Sequence, residues 1–248
     1  TYQFDKGEVK ETTQQHFDKL QNGWWNTLHA SDLDGDGDLD IIAGNWGLNA
    51  QFKPSVDQPM ELYYDDFDNN GYIDPLWCYY IQGASWPAAS RDEITDQIVA
   101  LRKKYVTYNS YADQKLEEIL PHLNLKEVNK KEVTELETMW FENKNGQFIK
   151  RSLPIEANFS PVYAIHTDDF NGDGMIDILL GGNVEYTRIR VGKIDANYGV
   201  LLVGDGNGQF RYLTQNISGL NIKGCVRSIM PIKDSKGVNK VLIGINNE

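Results

Sequence analysis

The chain has 248 residues, 40% of them hydrophobic and 11% aromatic, with a formal net charge of −12. That length suits one large β domain or two ordinary ones and can bury a sizeable core, and the aromatic content is not that of a disordered chain. The acidic excess makes nucleic acid a poor partner unless a local basic face exists, and no stretch approaches the roughly 18 apolar residues of a membrane-spanning helix, so no direct membrane span is expected.

Residues 1–13 predict a β-hairpin turning at Asp5-Lys6-Gly7. Ahead of them stands no charged-then-apolar leader, which suits either a processed mature protein or a fragment. Next comes Asp32-Leu33-Asp34-Gly35-Asp36-Gly37-Asp38-Leu39-Asp40, a run too acidic to stay compact without a cation inside it. It recurs as Asp66-Phe67-Asp68-Asn69-Asn70-Gly71-Tyr72-Ile73-Asp74 and as Asp169-Phe170-Asn171-Gly172-Asp173-Gly174-Met175-Ile176-Asp177. An acid stands first and ninth, Asp or Asn third and fifth, and glycine sixth.

Side-chain oxygens at positions 1, 3, 5 and 9, with the backbone carbonyl of 7, approach the roughly six to eight oxygens that calcium takes, and the sixth-position glycine permits the positive φ that wraps the loop. Magnesium, with its strict octahedron and retained waters, suits the pattern less. The predicted ligands are Asp32, Asp34, Asp36, the Asp38 carbonyl and Asp40 in the first loop. In the second they are Asp66, Asp68, Asn70, the Tyr72 carbonyl and Asp74, and in the third Asp169, Asn171, Asp173, the Met175 carbonyl and Asp177. The competing reading is three Asp/Gly-rich turns that only imitate ligand sets, and it is strongest for the second, where Asn70 replaces a carboxylate. An EF-hand is excluded because position 12 holds Ala43, Trp77 and Leu180 in place of a bidentate Glu, and because the flanking apolar runs read as buried strands. Loops of this kind fill at roughly 10⁻⁴–10⁻³ M calcium, a level found outside cells, so an exported location is expected.

Between the second and third loops, residues 87–137 read as a helical insertion. Ser90 with Glu93 forms a capping box, Ile94, Ile98, Leu101 and Tyr105 recur at helical spacing, and Leu116, Ile119 and Leu120 mark a second helix ending at Pro121. The basic triplet Arg102-Lys103-Lys104 reads as a solvated helix face. Trp24, Trp25, Trp46, Trp77, Tyr79, Tyr80 and Trp86 cluster around the first two loops, chiefly as packing, with Trp46 and Trp86 the candidates for stacking on a sugar. His29 and His166 precede their loops by three residues where the second copy has Tyr63, an interchange that argues for packing over catalysis. Cys78 and Cys225, both in apolar contexts, are expected to be buried free thiols.

Met139–Ile149 and Leu201–Phe210 are each strand, Asn/Gly turn, strand. The repeating unit is therefore strand, acidic loop, strand, connection and hairpin, and four strands per unit is the pattern of a β-propeller blade. A fourth unit, Cys225–Met230 into Val241–Gly244, lacks ligands in its loop. The expected fold is all-β: a β-propeller, complete and small or part of a larger one, in a single domain over residues 1–248.

The loops between short strands resemble the FG-GAP repeats of integrin α-subunits and the bacterial VCBS repeats. Gly23-Trp24-Trp25-Asn26, Ala43-Gly44-Asn45-Trp46-Gly47-Leu48-Asn49, the insertion from Arg91-Asp92-Glu93 to Arg102-Lys103-Lys104, and Leu153-Pro154-Ile155-Glu156-Ala157 are similar to exported VCBS/ASPIC-type proteins of Bacteroidetes. The resemblance implies a calcium-dependent propeller at the cell surface, associated with the outer membrane, serving adhesion or carbohydrate binding, with a glycan or surface protein as partner and a larger outer-membrane complex as a further setting. The alternative is a polysaccharide-degrading hydrolase or lyase, which would need two carboxylates across a cleft. Since every strongly patterned carboxylate is already assigned to metal and no catalytic motif stands out, a binding or scaffold module without enzymatic activity is the preferred expectation.

Overall fold

The computed structural model describes residues 1–19, 22–187 and 191–246. Strand outweighs helix, at 39% against 12%, and among the described residues the sheets close into neither a barrel nor a propeller ring. The chain divides into two compact units, Thr1–Gln51 with Leu136–Glu248, and Phe52–Glu135. The larger begins with β1 (Tyr2–Asp5), β2 (Glu8–Glu11), α1 (Thr13–His16), β3 (Thr27–Ser31) and β4 (Asp40–Gly44). The smaller holds β5 (Met60–Asp65), β6 (Asp74–Ile81), β7 (Ala84–Pro87), α2 (Arg91–Gln97), α3 (Leu116–Ile119) and β8 (Lys130–Val133). The larger resumes with β9 (Met139–Lys144), β10 (Gln147–Ser152), β11 (Val162–Asp168), β12 (Asp177–Gly182), β13 (Val200–Gly204), β14 (Phe210–Leu213), β15 (Cys225–Lys233) and β16 (Asn239–Asn246).

In the larger unit two four-stranded antiparallel sheets, β10-β9-β4-β3 and β11-β12-β13-β14, stand beside the two-stranded sheets β1-β2 and β15-β16. Ile42 and Trp140 of the first sheet meet Val162, Ile165, Leu180 and Leu202 of the second in one core, while Ala164 and Leu179 on the second sheet's other face pack on Val226 and Ile229 of β15. A sheet covered on both faces needs strands that are apolar throughout. Accordingly β12 is buried along its whole length. Two-residue turns at Lys6-Gly7 and Asn145-Gly146 carry positive φ at both residues, the geometry that matches strand twist, which is why these hairpins were readable from sequence.

The smaller unit is a third four-stranded sheet, β7-β6-β5-β8, one face of which carries Tyr63, Leu76 and Cys78 against Ile94, Ile98, Leu101, Leu116 and Ile119. The capping box that opens α2 is formed, with Ser90 N donating to Glu93 Oε2 at 2.7 Å and Glu93 N to Ser90 Oγ at 3.3 Å. The helix predicted to run through Tyr105 leaves α geometry at Ile98 (φ −114°, ψ 87°) and resumes as a 3-10 turn over Val99–Lys103. Ile98 and Val99 are consecutive β-branched residues, poor helix formers, yet the apolar positions that suggested the helix are still buried or packed. Whereas the sequence reading set off residues 87–137, the compact unit begins at Phe52 and includes the second acidic loop with its sheet.

Candidate metal centres

Each acidic nonapeptide joins two antiparallel strands, β3 to β4, β5 to β6 and β11 to β12, and the ninth-position acid is paired at the base of the loop, Asp40 with Ser31, Asp74 with Asp65 and Asp177 with Asp168. The flanks are strands and not helices, as the sequence required. One hydrogen-bond scheme then repeats in all three. The first-position acid accepts the sixth-position glycine N–H: Asp32 from Gly37 at 3.0 Å, Asp66 from Gly71 at 2.8 Å and Asp169 from Gly174 at 2.9 Å. The fifth-position oxygen accepts the N–H of position 7, Asp36 from Asp38, Asn70 from Tyr72 and Asp173 from Met175. The ninth-position acid accepts the N–H of position 2, from Leu33, Phe67 and Phe170 respectively. Backbone donors thus hold the first-, fifth- and ninth-position side chains of every loop against its own backbone.

In two of the loops the carboxylates converge. Oxygens of Asp32, Asp34 and Asp40 lie within 4.8 Å of one another, as do those of Asp66, Asp68 and Asp74, so two Asp-rich groups can hold a metal ion. The third loop, with Asn171 at its third position, forms no such group among the described residues, and there Asn171 Nδ2 donates to Asp173 Oδ2 at 2.8 Å. Two oxygens in the first two loops bear on whether a cation fits. Asp38 Oδ1 and Asp68 Oδ1 are buried with no hydrogen-bond partner among the described residues, a costly state for a carboxylate oxygen that a bound cation would relieve. In the first loop the sequence assigned only the Asp38 carbonyl, and the Asp38 side chain lies outside the converging group of Asp32, Asp34 and Asp40.

The electrostatics agree. Burial first, then for Asp34 and Asp38 the charge of Asp36, pushes both carboxyls above their ordinary value. Asp40, Asp74 and Asp177 are raised chiefly by burial, against the backbone N–H groups that lower them. Asp169 is held below its ordinary value, foremost by the Gly174 N–H. Glu142 adds to the charge beside the first loop, and nothing in the sequence pattern marked it. Burial pushes Glu142 up, but Lys144 at 2.7 Å and Arg151 at 2.6 Å outweigh that and hold it down.

Other predicted residues serve packing. His166 is buried against Phe170, Tyr63 is buried in the smaller unit's core, and His29 Nε2 lies 2.9 Å from Thr167 Oγ1. Trp46 is 9% exposed and stacks on the more exposed Trp24 with ring centroids 4.6 Å apart, while Trp77 and Tyr79 pack on Phe52. Arg102 pairs with Asp96 and Lys104 donates to the Glu118 carbonyl, so two members of the exposed basic triplet are held by local partners. Both cysteines are free and buried. No family model, curated protein or solved structure matches the chain.

Proposed function

We propose that this chain is a calcium-binding β-propeller module of the FG-GAP/VCBS kind, exported to the cell surface, where it binds a glycan or protein without turning it over. The observation that carries the reading is the threefold repetition of one backbone-to-carboxylate scheme on loops between antiparallel strands, with two of the loops bringing three carboxylates within 4.8 Å. An all-oxygen, carboxylate-rich donor set suits a hard cation, and the Asp/Asn mixture suits calcium better than a metal that prefers imidazole or thiolate. Support comes from the four-stranded antiparallel sheets, whose strand number is that of a propeller blade. Calcium here would cancel the mutual repulsion of the loop acids. At the first loop it would also fix the contact with the β13–β14 turn, where Gly208 lies so close to Trp140 and Asp34 that a methyl group would stand 2.9 Å from the indole.

Calorimetric titration tests it. The full chain should take up about two to three calcium ions at submillimolar to millimolar affinity, with magnesium weaker. The double variant Asp34→Ala/Asp68→Ala should lose the ions of the first two loops. Absence of heat and of any rise in melting temperature at millimolar calcium would end the reading.

A further inference from the structure

The smaller unit carries a cavity that the metal loops do not use. It measures about 430 Å³ and lies between the edge strand β7 and the segment Tyr111–Gln114. Trp86 and Ile81 supply apolar lining, and Gln82, Asp113 and Gln114 supply polar lining. In the β6–β7 ladder Trp86 is paired with Tyr79 and Ala84 with Ile81, so Trp86 and Ile81 share one face of the sheet.

Several of these groups are already held. Gln82 is fixed in a positive-φ turn with Gly83, Gln114 Oε1 accepts from Tyr105 at 3.4 Å, and Tyr111 donates to the Ala89 carbonyl at 2.8 Å. Asp113 is exposed and makes no ion pair among the described residues.

We propose that this cavity binds a short stretch of a neutral glycan. The proposal rests on reading the chain as a binding module and names what one of its sites takes. A planar indole beside an aliphatic side chain matches the C–H face of a pyranose ring, and two carboxamides with a carboxylate offer the mixed donors and acceptors that vicinal hydroxyls require. Charge narrows the class further. An acid among the lining residues, in a chain of net charge −12, repels uronates and sulfated sugars. Peptide addition to β7 is the weaker fit, because that edge offers only four residues and ends in Pro87.

The test is calorimetry of the full chain in calcium with maltohexaose, cellohexaose and mannohexaose, and with polygalacturonate as the anionic probe. At least one neutral oligosaccharide should bind saturably. Trp86→Ala should abolish binding, and Asp113→Ala, at an exposed position that the fold does not use, should weaken it by about tenfold. Trp46→Phe should leave it unchanged. The proposal falls if no neutral probe binds at millimolar concentration, if binding survives both Trp86→Ala and Asp113→Ala, or if polygalacturonate binds in preference. Calcium uptake without glycan binding would sink this proposal alone. Glycan binding that depends on Trp86 and Asp113 without calcium uptake would leave it standing and sink the calcium reading.

Discussion

Asp177 is wholly buried and accepts the N–H groups of Phe170 and Gly204, so one side chain ties the third loop to its own base and to the neighbouring strand β13. Asp40 repeats the arrangement with Leu33 and Asn143. The ninth-position acids therefore have a structural duty that would persist without metal, whereas Asp38 Oδ1 and Asp68 Oδ1 have no such partner. Cys78 shows the opposite kind of burial. Its apolar surroundings first, and then the charge of Glu61, push the thiol up to about 12 from an ordinary 9.0. In the folded chain it stays protonated where the unfolded chain forms thiolate. Its contribution to stability is thus fully present below the ordinary value and declines as pH rises from there toward the folded one. Denaturant midpoints should fall more steeply above about pH 9 in the parent than in Cys78→Ala, whose lower overall stability is a separate cavity effect. Equal slopes would show that the thiol is not shielded.

At the scale of elements, small residues end β4 and β12, where Gly44 lets the first large sheet approach β11 of the second and Gly182 lets β12 close on the start of its own partner β11. A methyl on Gly44 would stand 2.9 Å from the Val162 carbonyl oxygen, and one on Gly182 would fall on the Pro161 carbonyl oxygen. Neither glycine is in the left-handed region, so the requirement is room and not backbone freedom. Gly182→Ala should therefore destabilise the larger unit by at least about 1–3 kcal/mol, read from urea unfolding, while Gly172→Ala, with open space around it, should show only the smaller cost of its positive φ. Both glycines precede a buried asparagine that links one sheet to the next. Asn45 O accepts from Val162 N, and Asn183 Nδ2 donates to the Gly224 carbonyl. The sequence displayed Gly44-Asn45 and Gly182-Asn183, but which strand each would meet is set by contacts between distant segments. What could be read was local: the acidic loops, their strand flanks, the Asn-Gly turn and the Ser90–Glu93 cap are each written within about a dozen residues. Glu142 escaped notice because it reaches the first loop only through the pairing of β9 with β4, about a hundred residues apart in sequence.

For the whole molecule, that same pairing decides how the chain is organised. Ala43 is opposite Met139, and Gly47 N donates to the Leu136 carbonyl at 2.8 Å, so the backbone leaves the first sheet and returns to it at nearly one point. Everything between Phe52 and Glu135 is then an excursion with a core of its own, built from Leu76, Cys78, Ile94, Tyr105, Ile119 and Leu120. A segment whose ends meet and whose apolar residues are satisfied internally is able to fold alone. Residues 52–135 expressed by themselves should unfold cooperatively and take up about one calcium ion through Asp66, Asp68 and Asp74. The complementary chain, with those residues replaced by a short Gly/Ser linker between Gln51 and Leu136, should keep the β4–β9 ladder and the remaining calcium uptake. Circular dichroism, denaturant titration and calorimetry on the two pieces check this together. If either piece were unfolded in calcium while the parent chain was stable, the division would not be energetic. If both folded but the smaller bound no ion, the carboxylates of the second loop would be an imitation of a ligand set, and the buried Oδ1 of the half-buried third-position Asp68 would need another reason to lack a partner.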